Sequence, residues 1–490
     1  MKLDKKIGFL ILVILILACS SLIKIDSYKI RPVHHDEAVH YFFVKEFQAK
    51  TYEYDPEYHG PFNIMLSTVS TKIFGDNING LRLMYVIFSI GSLFLLLLLT
   101  KEFSRSQLIA LLVMFGFSPI LNYYAGYAFF ESFFVFFYAL FFVSIIKIFY
   151  GKTNFFYILA LSAAFMLSIN EITYVLLFAL TVAFLITNYR KLAMLKAIKP
   201  KISQAKGKKI IKNKRLIRTA VLSILLFLAI IVLFYSVCFT QNFFSNILKS
   251  ITYNLNKSRT TGQNKPFFYY AKVLLLEFTT IAVFLAMIVL YLIKTFQKKK
   301  IKKEANSKDV FFFLAAYIII LFVIISLIPY KTPWNTIFMI MPVIFAASLF
   351  FKQSIRIKTA LLILIAIFLI INIARITFYD YDNYSNNPLA YVQSTRELPI
   401  IISYMKNMSV ENGLIISSEY WPLPWYLKDY KVNYYSTMPD YKINFQNYDF
   451  IIMDKNNFEA IRNSTGIAEI KSFNLRPGIE LYLILPLKNG

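Results

Sequence analysis

The chain has 490 residues, of which 58% are hydrophobic and 16% are charged, with 53 Lys and Arg against 27 Asp and Glu. Soluble domains are about 45–50% apolar and about 25% charged, so this composition excludes a disordered chain and disfavours a soluble domain. The net charge of +26 would indicate a nucleic-acid partner only if the basic residues formed one face of a soluble fold, and we expect no such partner. The two cysteines lie in apolar runs and form no disulfide framework or zinc motif. The composition predicts a membrane protein.

Apolar runs of the length that crosses a bilayer, about 17–25 residues, recur along the chain. We predict about 11 transmembrane helices, at 7–23, 80–100, 106–122, 128–149, 155–170, 172–188, 219–240, 270–293, 310–329, 336–351 and 359–376. The first run has a basic start like that of a signal peptide, but it lacks a good small-residue cleavage site. We therefore expect an uncleaved anchor.

Basic residues in the short loops predict the orientation of these helices. With a cytoplasmic N-terminus, the inner loops hold 29 Lys and Arg against four acids, and we expect the basic loop 189–218 to lie against anionic inner-leaflet lipid. The first outer loop, 24–79, and the tail, 377–490, each carry two more acids than bases. We predict a multi-pass plasma-membrane protein with an extracytoplasmic C-terminal tail.

The tail alternates short strands with helices, which is typical of a small α/β domain. Strands are expected at 414–418, 431–436, 450–454 and 481–485, helices at 389–408 and 456–463, and an aromatic turn at 420–427. The predicted fold class is mainly α, a polytopic membrane protein with a small C-terminal α/β extracytoplasmic domain. The predicted domains are 1–376, which contains the long loop 24–79, and 377–490.

All four histidines lie in the first outer loop, which is too long for a simple connection. The segment from Arg31 reads Arg-Pro-Val-His-His-Asp-Glu-Ala-Val-His, so it holds His34, His35 and His40. The fourth histidine, His59, lies in a second segment, 54–62, that reads Tyr-Asp-Pro-Glu-Tyr-His-Gly-Pro-Phe. Packing alone explains this clustering poorly, and we interpret these histidines as part of a polar substrate-binding site.

Two adjacent carboxylates, Asp36 and Glu37, stand at the centre of the first segment. On a helix they point about 100° apart, so one can face a substrate while the other orients it or caps the helix expected to begin near Ala38. The simpler alternative is that Asp36 only N-caps that helix. A divalent metal held by the His, Asp and Glu side chains is a further alternative, although their spacing matches no specific zinc motif.

Charged residues near the outer ends of predicted spans are the next candidates, because charges in spans are costly and are usually functional. The acids are Glu131, Glu171 and Glu277, and we expect them to converge with Lys331 at the level of Asp36. Lys331 precedes Thr-Pro-Trp334 and would suit a lipid-linked phosphate, whereas the alternative is a lysine that only reaches the interface.

The sequence has no Gly-rich phosphate loop, Gly-x-Ser-x-Gly elbow or His-Glu-x-x-His helix, so soluble nucleotide-driven chemistry is not expected. A surface carboxylate near a phosphate anchor fits the transfer of a sugar from a polyprenyl-phosphate carrier, with the carboxylate as base. In the tail, Trp421 and Trp425 are flanked by tyrosines and would suit stacking on a sugar face; alternatively, they pack the tail onto the membrane domain.

The segments 34–40, 54–62, 331–334 and 420–427, in this order, resemble signatures of the GT-C superfamily of membrane glycosyltransferases, which is related to protein O-mannosyltransferases. The closer resemblance is to the flippase-activity-associated family of archaeal N-glycosylation, also found in bacteria. It implies a GT-C fold, a polyprenyl-phosphate-linked sugar donor, Asp36 as the catalytic base and Glu37 as its partner. Relatives carry a basic residue before the acid at Glu131, whereas phenylalanines precede it here, which leaves phosphate binding to Lys331 and Arg82.

Three classes of function follow. The first is an integral-membrane glycosyltransferase, hexosyl- or mannosyltransferase-like, that acts with membrane lipids and glycosylation-pathway partners. The second is a non-catalytic accessory or flippase component for lipid-linked glycans, but the paired Gly/Pro-interrupted helices of repeat-built carriers are missing. The third is a structural scaffold that docks through the tail, which leaves the four-histidine loop unexplained.

Overall fold

A computed structural model describes residues 5–197, 206–259, 263–296, 305–352, 356–408, 410–439, 443–462 and 467–486. The contacts between residues divide the chain into two compact units, and each is described by itself. The membrane unit comprises residues 1–28 and 52–377, and the C-terminal unit comprises 29–51 and 378–490. This division counts part of the first outer loop with the tail, whereas the predicted domains assign the whole loop to 1–376.

Helices dominate the first 380 residues. In chain order they are α1 (Lys5–Ile30), α2 (His35–Gln48), α3 (Phe62–Phe74), α4 (Ile78–Leu96), α5 (Arg105–Gly116), α6 (Pro119–Ala125), α7 (Glu131–Phe149), α8 (Phe155–Ile169), α9 (Thr173–Ala197), α10 (Lys206–Tyr235), α11 (Phe243–Lys257), α12 (Tyr269–Val273), α13 (Phe278–Phe296), α14 (Ala305–Leu327), α15 (Thr336–Ser348) and α16 (Arg356–Ile373). Short 3₁₀ segments follow some of them directly, such as Leu97–Leu99 after α4, whereas Pro56–Tyr58 lies between α2 and α3 and Pro333–Asn335 precedes α15.

Within the described residues, eight helical segments are long and apolar enough to cross a membrane, and the bent pair α5 and α6 makes a ninth. Two shorter apolar helices, Phe155–Ile169 and Thr173–Asn188, occupy the other two predicted positions. The prediction of a polytopic, mainly helical membrane protein is confirmed, and these segments are consistent with the predicted count of 11.

The bend of 52° between α5 and α6 has a local cause. Ser118 caps α6 and Pro119 opens it, and proline has no N–H to continue the preceding helix. The carboxylate of Glu277 accepts hydrogen bonds from the Ser118 hydroxyl and from the backbone N–H of Ile120. Glu277 is therefore a buried carboxylate that helps to cap the N-terminus of α6. This is a structural role for an acid that the sequence analysis named as a functional candidate.

The membrane unit has central and peripheral helices. The spans Glu131–Phe149 and Pro333–Phe351 are mostly buried inside the protein, whereas Lys6–Ile30 and Arg215–Tyr235 expose most of their apolar side chains. Helices that are apolar on all sides suit either a protein interior or lipid. The first pair therefore forms the centre of the unit, and the second pair faces the bilayer.

The C-terminal unit contains α2 and a mixed five-stranded sheet. Its other elements are α17 (Glu397–Asn407), β1 (Asn412–Ile416), α18 (Leu423–Tyr426), β2 (Lys431–Tyr435), β3 (Phe450–Asp454), α19 (Lys455–Ile461), β4 (Ile467–Arg476) and β5 (Ile479–Pro486). The strand order is β2-β1-β3-β5-β4, with β1 parallel to both β2 and β3, and with β5 antiparallel to β3 and β4. Pairs such as Ile415 opposite Ile452 build the core, which α17 covers with Leu398 and Ile402 on one face.

The four predicted strands of the tail are present, but β4 was not predicted. It is an edge strand whose sequence places Glu469, Lys471 and Asn474 among apolar residues, so its alternation is weak. The helix predicted at 389–408 begins only at Glu397. The residues before it hold α2 instead, since the Ser394 hydroxyl donates to the carbonyl of Val33.

Candidate functional site

The first candidate region is the start of α2 in the C-terminal unit. His34, and not Asp36, is the N-cap, because its Nδ1 accepts a hydrogen bond from the Asp36 N–H. Its Nε2 lies 2.7 Å from the carbonyl oxygen of Tyr391, so the ring is held at both nitrogens. The Glu37 carboxylate completes a capping box by accepting from the His34 N–H at 2.9 Å. The alternative in which Asp36 is the N-cap is therefore wrong.

This arrangement gives the two adjacent carboxylates different environments. Glu37 is fully buried and engaged in the cap, whereas 21% of the Asp36 side chain is exposed. Asp36 lies in the first turn of α2, where the helix dipole favours a negative charge. Its charge also favours the protonated forms of His35 and Arg476. Asp36 is thus a partly exposed carboxylate, with one oxygen 3.7 Å from His34 Nδ1, and Glu37 positions it by completing the capping box.

A buried arginine stands beside His35. Arg476, at the end of β4, donates from a guanidinium nitrogen to His35 Nδ1 over 3.1 Å and pairs with the carboxylate of Glu419. Burial is the main cause that lowers the pKa of His35 to about 4; the charge of Asp36 acts in the opposite direction and the charge of Arg476 in the same direction. His35 is therefore neutral at physiological pH, with Nδ1 as an acceptor.

His40 lies one turn further along α2 and is fully buried. Burial lowers the pKa of its imidazole to about 3, although the nearby Glu37 carboxylate acts in the opposite direction. A neutral, enclosed ring is a packing residue of this unit. His40 is therefore less suited to contact a substrate than the sequence clustering suggests.

The two tail tryptophans lie in and next to α18, on the same unit as α2. Trp421 packs against His35 and edge-on against Phe42, with ring centroids 6.3 and 5.6 Å away. Lys428 lies 5.5 Å from the Trp425 ring. Among the described residues, the buried Trp425 Nε1 has no hydrogen-bond acceptor. The indole N–H of Trp425 is thus a donor that a ligand hydroxyl could engage.

The second candidate region is a buried network in the membrane unit around Glu171, between α8 and α9. One carboxylate oxygen accepts from the Tyr54 hydroxyl at 2.9 Å, and Tyr235 approaches the same oxygen at 3.5 Å. The other oxygen lies 3.3 Å from His59 Nδ1. Burial and the Glu171 charge raise the pKa of Tyr54 far above its usual range, so this phenol stays a donor. Glu171 is therefore an organising carboxylate that fixes the ring of His59.

His59 has a strained backbone. Its φ of 69° and ψ of −166° fall in a region that is essentially restricted to glycine. Such a conformation costs roughly 1–3 kcal/mol and tends to occur at functional sites. Its ring contacts Phe130 edge-on, with centroids 4.6 Å apart. The strain is maintained by the surroundings, which points to a role for this side chain.

Gly60 holds the strained residue in place. Its N–H donates to the carbonyl of Ile169 at 3.0 Å, and an added Cβ would lie 2.1 Å from the carbonyl oxygen of Ser168. Only glycine allows this close approach of two backbones. On the other side of His59, Asp55 caps the turn Pro56–Tyr58. The loop is thus fastened directly beside Glu171.

His59 and Glu171 line a cavity of about 500 Å³ in the membrane unit. Its walls come from the start of α9, the second half of α11 and the segment after α14. Trp334 also lines it, so the structure brings three of the predicted substrate-binding residues to one cavity.

The two basic residues proposed as phosphate anchors are both bound to helix ends. The Lys331 ammonium donates to the carbonyl of Ile328 at 2.7 Å, just after α14, and is 3% exposed. A guanidinium nitrogen of Arg82 donates to the carbonyl of Tyr28 at 2.7 Å, near the end of α1. Cations at helix C-termini are stabilising, so both side chains have a structural role. Glu131, the first residue of α7, is buried.

Within the described residues, no group of three or more His, Cys, Asp or Glu side chains is arranged to hold a metal ion. The sequence reasoning also missed several partners at these sites: Arg476, Glu419, Tyr391, Tyr54 and Tyr235. Their contacts join positions tens to hundreds of residues apart, such as His35 with Arg476. Composition and spacing carry no signal for such pairs.

Comparison with known proteins identifies the fold. No family model and no curated protein matches the chain. Its fold matches that of solved structures over nearly the whole chain, and the apolar helical spans and the small C-terminal sheet confirm the predicted mainly α, polytopic fold class. The structure of ArnT from Cupriavidus metallidurans bound to undecaprenyl phosphate has a TM-score of 0.63 at 10% sequence identity, covering 96% of this chain and 97% of that chain.

The apo state of the same ArnT gives a TM-score of 0.61 at 11% identity with the same coverage. The mycobacterial arabinofuranosyltransferase AftD gives 0.47 at 12% identity, covering all of this chain and 40% of that chain. The ArnT likeness establishes the fold of this chain over nearly its whole length. The more specific resemblance to the flippase-activity-associated family stays a prediction.

Proposed function

We propose that this protein is an integral-membrane glycosyltransferase that moves a sugar from a polyprenyl-phosphate-linked donor to an acceptor hydroxyl on the extracytoplasmic face. The observation that carries the proposal is the accessible Asp36 carboxylate on the fold of a protein solved with undecaprenyl phosphate. The Asp36 side chain is partly exposed in the first turn of α2, so it can reach an acceptor hydroxyl, while His35 is neutral and His34 is held at both ring nitrogens.

In the proposed reaction, Asp36 takes the proton of an acceptor hydroxyl as its oxygen attacks the anomeric carbon. The bond from that carbon to the phosphate oxygen breaks, and the polyprenyl phosphate leaves with the electron pair. Attack opposite the leaving group inverts the anomeric configuration. Asp36 keeps its orientation through the capping box of His34 and Glu37, which are positioning residues.

Other predicted residues keep distinct parts in this proposal. Lys331 has three ammonium donors, of which one goes to Ile328, and we assign the others to the donor phosphate. The indole N–H of Trp425 is assigned to a sugar hydroxyl. By resemblance to the superfamily, the transferred sugar is a hexose such as mannose, and the enzyme works with glycosylation-pathway partners in the plasma membrane.

A second candidate is an accessory that presents or flips a lipid-linked glycan without making a bond. The cavity beside α11 favours keeping this alternative, because a carrier also needs a space for an amphiphilic ligand. The two functions differ in product: an accessory changes where the glycan lies, whereas a transferase changes its composition.

The test is sugar transfer in membranes that contain the wild type, Asp36→Asn or Glu37→Gln, with a panel of polyprenyl-phosphate sugars labelled in the sugar. Asp36→Asn should lower transfer by at least 100-fold, because the amide cannot accept the proton. Glu37→Gln keeps a hydrogen-bond acceptor for the cap and should retain most of the activity. Undiminished transfer by Asp36→Asn, with equal expression, would overturn the assignment of the base. Normal glycan composition with failed translocation in a deletion strain would favour the accessory.

A further inference from the structure

Helix α11 is amphipathic in the reverse sense to a helix on a soluble protein. Its polar side chain Asn246 is buried and donates to the carbonyl of Tyr235 and to Gln241. Ser250, one turn on, is buried as well. The opposite face exposes an apolar stripe with helical spacing, Phe244, Leu248, Ile251 and Leu255. An exposed apolar stripe on a short helix that lies between two spans fits a position in the lipid headgroup region.

The apolar stripe leads into the cavity that His59 and Glu171 line. Ile251 and Leu255 belong both to the stripe and to the cavity wall. Behind α11, the Gln241 amide donates to the carbonyl of Tyr52 and accepts from the N–H of Tyr54, which joins the helix to the Glu171 network. One helix therefore borders lipid along its outer stripe and, at its end, a largely apolar cavity whose lining includes several polar side chains.

The lining chemistry favours a hydroxylated head group over an anionic one. Glu171 places a buried carboxylate in the wall, which repels a phosphate. Among the described lining residues, Lys257 is the one cation, and its ammonium lies over the rings of Tyr253 and Tyr330. Phosphate sites usually combine several Arg or Lys donors. The remaining polar liners include amides and hydroxyls, which bind sugar or glycerol hydroxyls: Asn170, Asn254, Ser258, Thr332 and Asn335.

We propose that this cavity binds the hydroxylated head group of a neutral membrane lipid, a glycolipid, whose chains run along the α11 stripe, and that this lipid is the sugar acceptor. The first part stands on the cavity and α11, and the second rests on the proposed function. His59, held by Glu171, contacts a head-group hydroxyl. The acceptor thus enters sideways from the bilayer and not from water.

Binding is tested with the full chain in phosphatidylcholine nanodiscs. Trp421→Phe and Trp425→Phe leave Trp334, which lines the cavity, as the one remaining tryptophan of the three in the chain. The probe is monoglucosyl diacylglycerol brominated in its chains, which quenches tryptophan on contact. We expect saturable quenching at a few mole per cent, reversed by unlabelled glycolipid. Brominated phosphatidylcholine should give at most a tenth of the effect, and unlabelled undecaprenyl phosphate should not compete.

Variants keep the binding test decisive. His59→Gly should weaken glycolipid binding at least tenfold, and Val175→Phe, which fills the cavity from α9, should do the same if the first variant folds poorly. Lys249→Ala, on the exposed side of α11 and outside the cavity, is the control and should bind normally. Equal quenching by phosphatidylcholine, or competition by undecaprenyl phosphate, would overturn the proposed ligand.

The acceptor is tested separately by partitioning the products of the transfer reaction. The expected result is labelled sugar in a lipid product that chromatography separates from the labelled donor, and loss of that product in Val175→Phe. Asp36-dependent label in protein or in water-soluble glycan would overturn the lipid acceptor while the glycosyltransferase stands. Glycolipid binding without any Asp36-dependent transfer would leave the cavity assignment intact and overturn the proposed function.

Discussion

The start of α2 and the His59 loop both combine histidine with a carboxylate, yet they are built for different purposes. At α2, the side chains of His34 and Glu37 form the capping box, and the side chain of Asp36, between them in sequence, is partly exposed. At the loop, Glu171 and its tyrosines hold His59 in a strained conformation at the edge of a cavity. Helix capping holds the first region in a common backbone conformation. In the second region, the surrounding contacts hold His59 in an unfavourable backbone conformation.

The difference shows that closeness along the chain is a poor guide to a shared role. All four histidines lie within 26 residues, but three belong to the C-terminal unit and His59 belongs to the membrane unit. His35 and His40 are kept neutral by burial, whereas the ring of His59 is directed by a carboxylate. Four variants or conditions separate these two kinds of order.

Acid should produce the largest effect, and it acts on the C-terminal unit. Burial lowers the pKa values of His35 and His40 to about 4 and about 3. Between about pH 6.5 and these values the unfolded chain binds protons that the folded chain does not, so stability is complete above pH 6.5 and falls as the pH falls. Between pH 6.5 and pH 4, each histidine should lower the unfolding free energy by about 3 kcal/mol, at about 1.4 kcal/mol per pH unit.

The measurement is urea unfolding in detergent between pH 7.5 and pH 4, followed by tryptophan fluorescence in a Trp334→Phe background, in which both remaining tryptophans lie in the C-terminal unit. His35→Gln and His40→Gln should each reduce the slope of the unfolding free energy against pH. At pH 7.5, the remaining difference from the wild type is the pH-independent effect of each substitution. A slope identical to that of the wild type in both variants would contradict the burial of neutral rings.

Gly60→Ala should have the next largest effect, and it acts on the loop. The new Cβ would lie 2.1 Å from the Ser168 oxygen, so the loop must move and lose its hydrogen bond to Ile169. We expect a loss of roughly 3 kcal/mol, measured as the unfolding free energy of the membrane unit, and loss of glycolipid binding. Gly151→Ala is the matched control: its Cβ would meet no atom, and its φ of 83° alone costs about 1–2 kcal/mol. Equal losses in the two variants would show that the close packing of Gly60 is unimportant.

The sequence predicted much of the fold because its signals are local. Apolar runs locate the helices, and strands such as Phe450–Asp454 follow from continuous apolar segments between turns. The edge strand β4 was not predicted because Glu469 and Lys471 interrupt its apolar pattern. Edge strands often carry such charges, which prevent pairing with other chains. The types of residue at the candidate sites could be predicted from the sequence, but the contacts between them could not. Nothing near His35 in sequence indicates Arg476, and nothing near Glu171 indicates Tyr54.

The strain at His59 gives a prediction that reverses the usual order of alanine and glycine. Alanine normally stabilises relative to glycine because it restricts the unfolded chain. At a φ of 69° and a ψ of −166°, alanine keeps the strain and glycine removes it. His59→Gly should therefore be more stable than His59→Ala by about 1–2 kcal/mol, measured by thermal unfolding in detergent. At Ala38, in the buried first turn of α2, the Ala38→Gly variant should show the usual order. A His59→Ala variant as stable as His59→Gly would mean that the loop relaxes freely.

The smallest expected effect concerns the capping box of α2. His34→Ala removes the side-chain acceptor for the Asp36 N–H and the contact with the Tyr391 carbonyl, and should cost about 1 kcal/mol. His34→Asn restores an N-cap acceptor and should recover most of that loss, although it cannot reach Tyr391 as the longer ring does. Because the cap orients Asp36, the kcat of His34→Ala should fall by a larger factor than its folding equilibrium constant, while the donor KM stays unchanged. If activity instead follows stability in both variants, the cap supports the helix without positioning Asp36, and the two candidate regions would differ in strain alone.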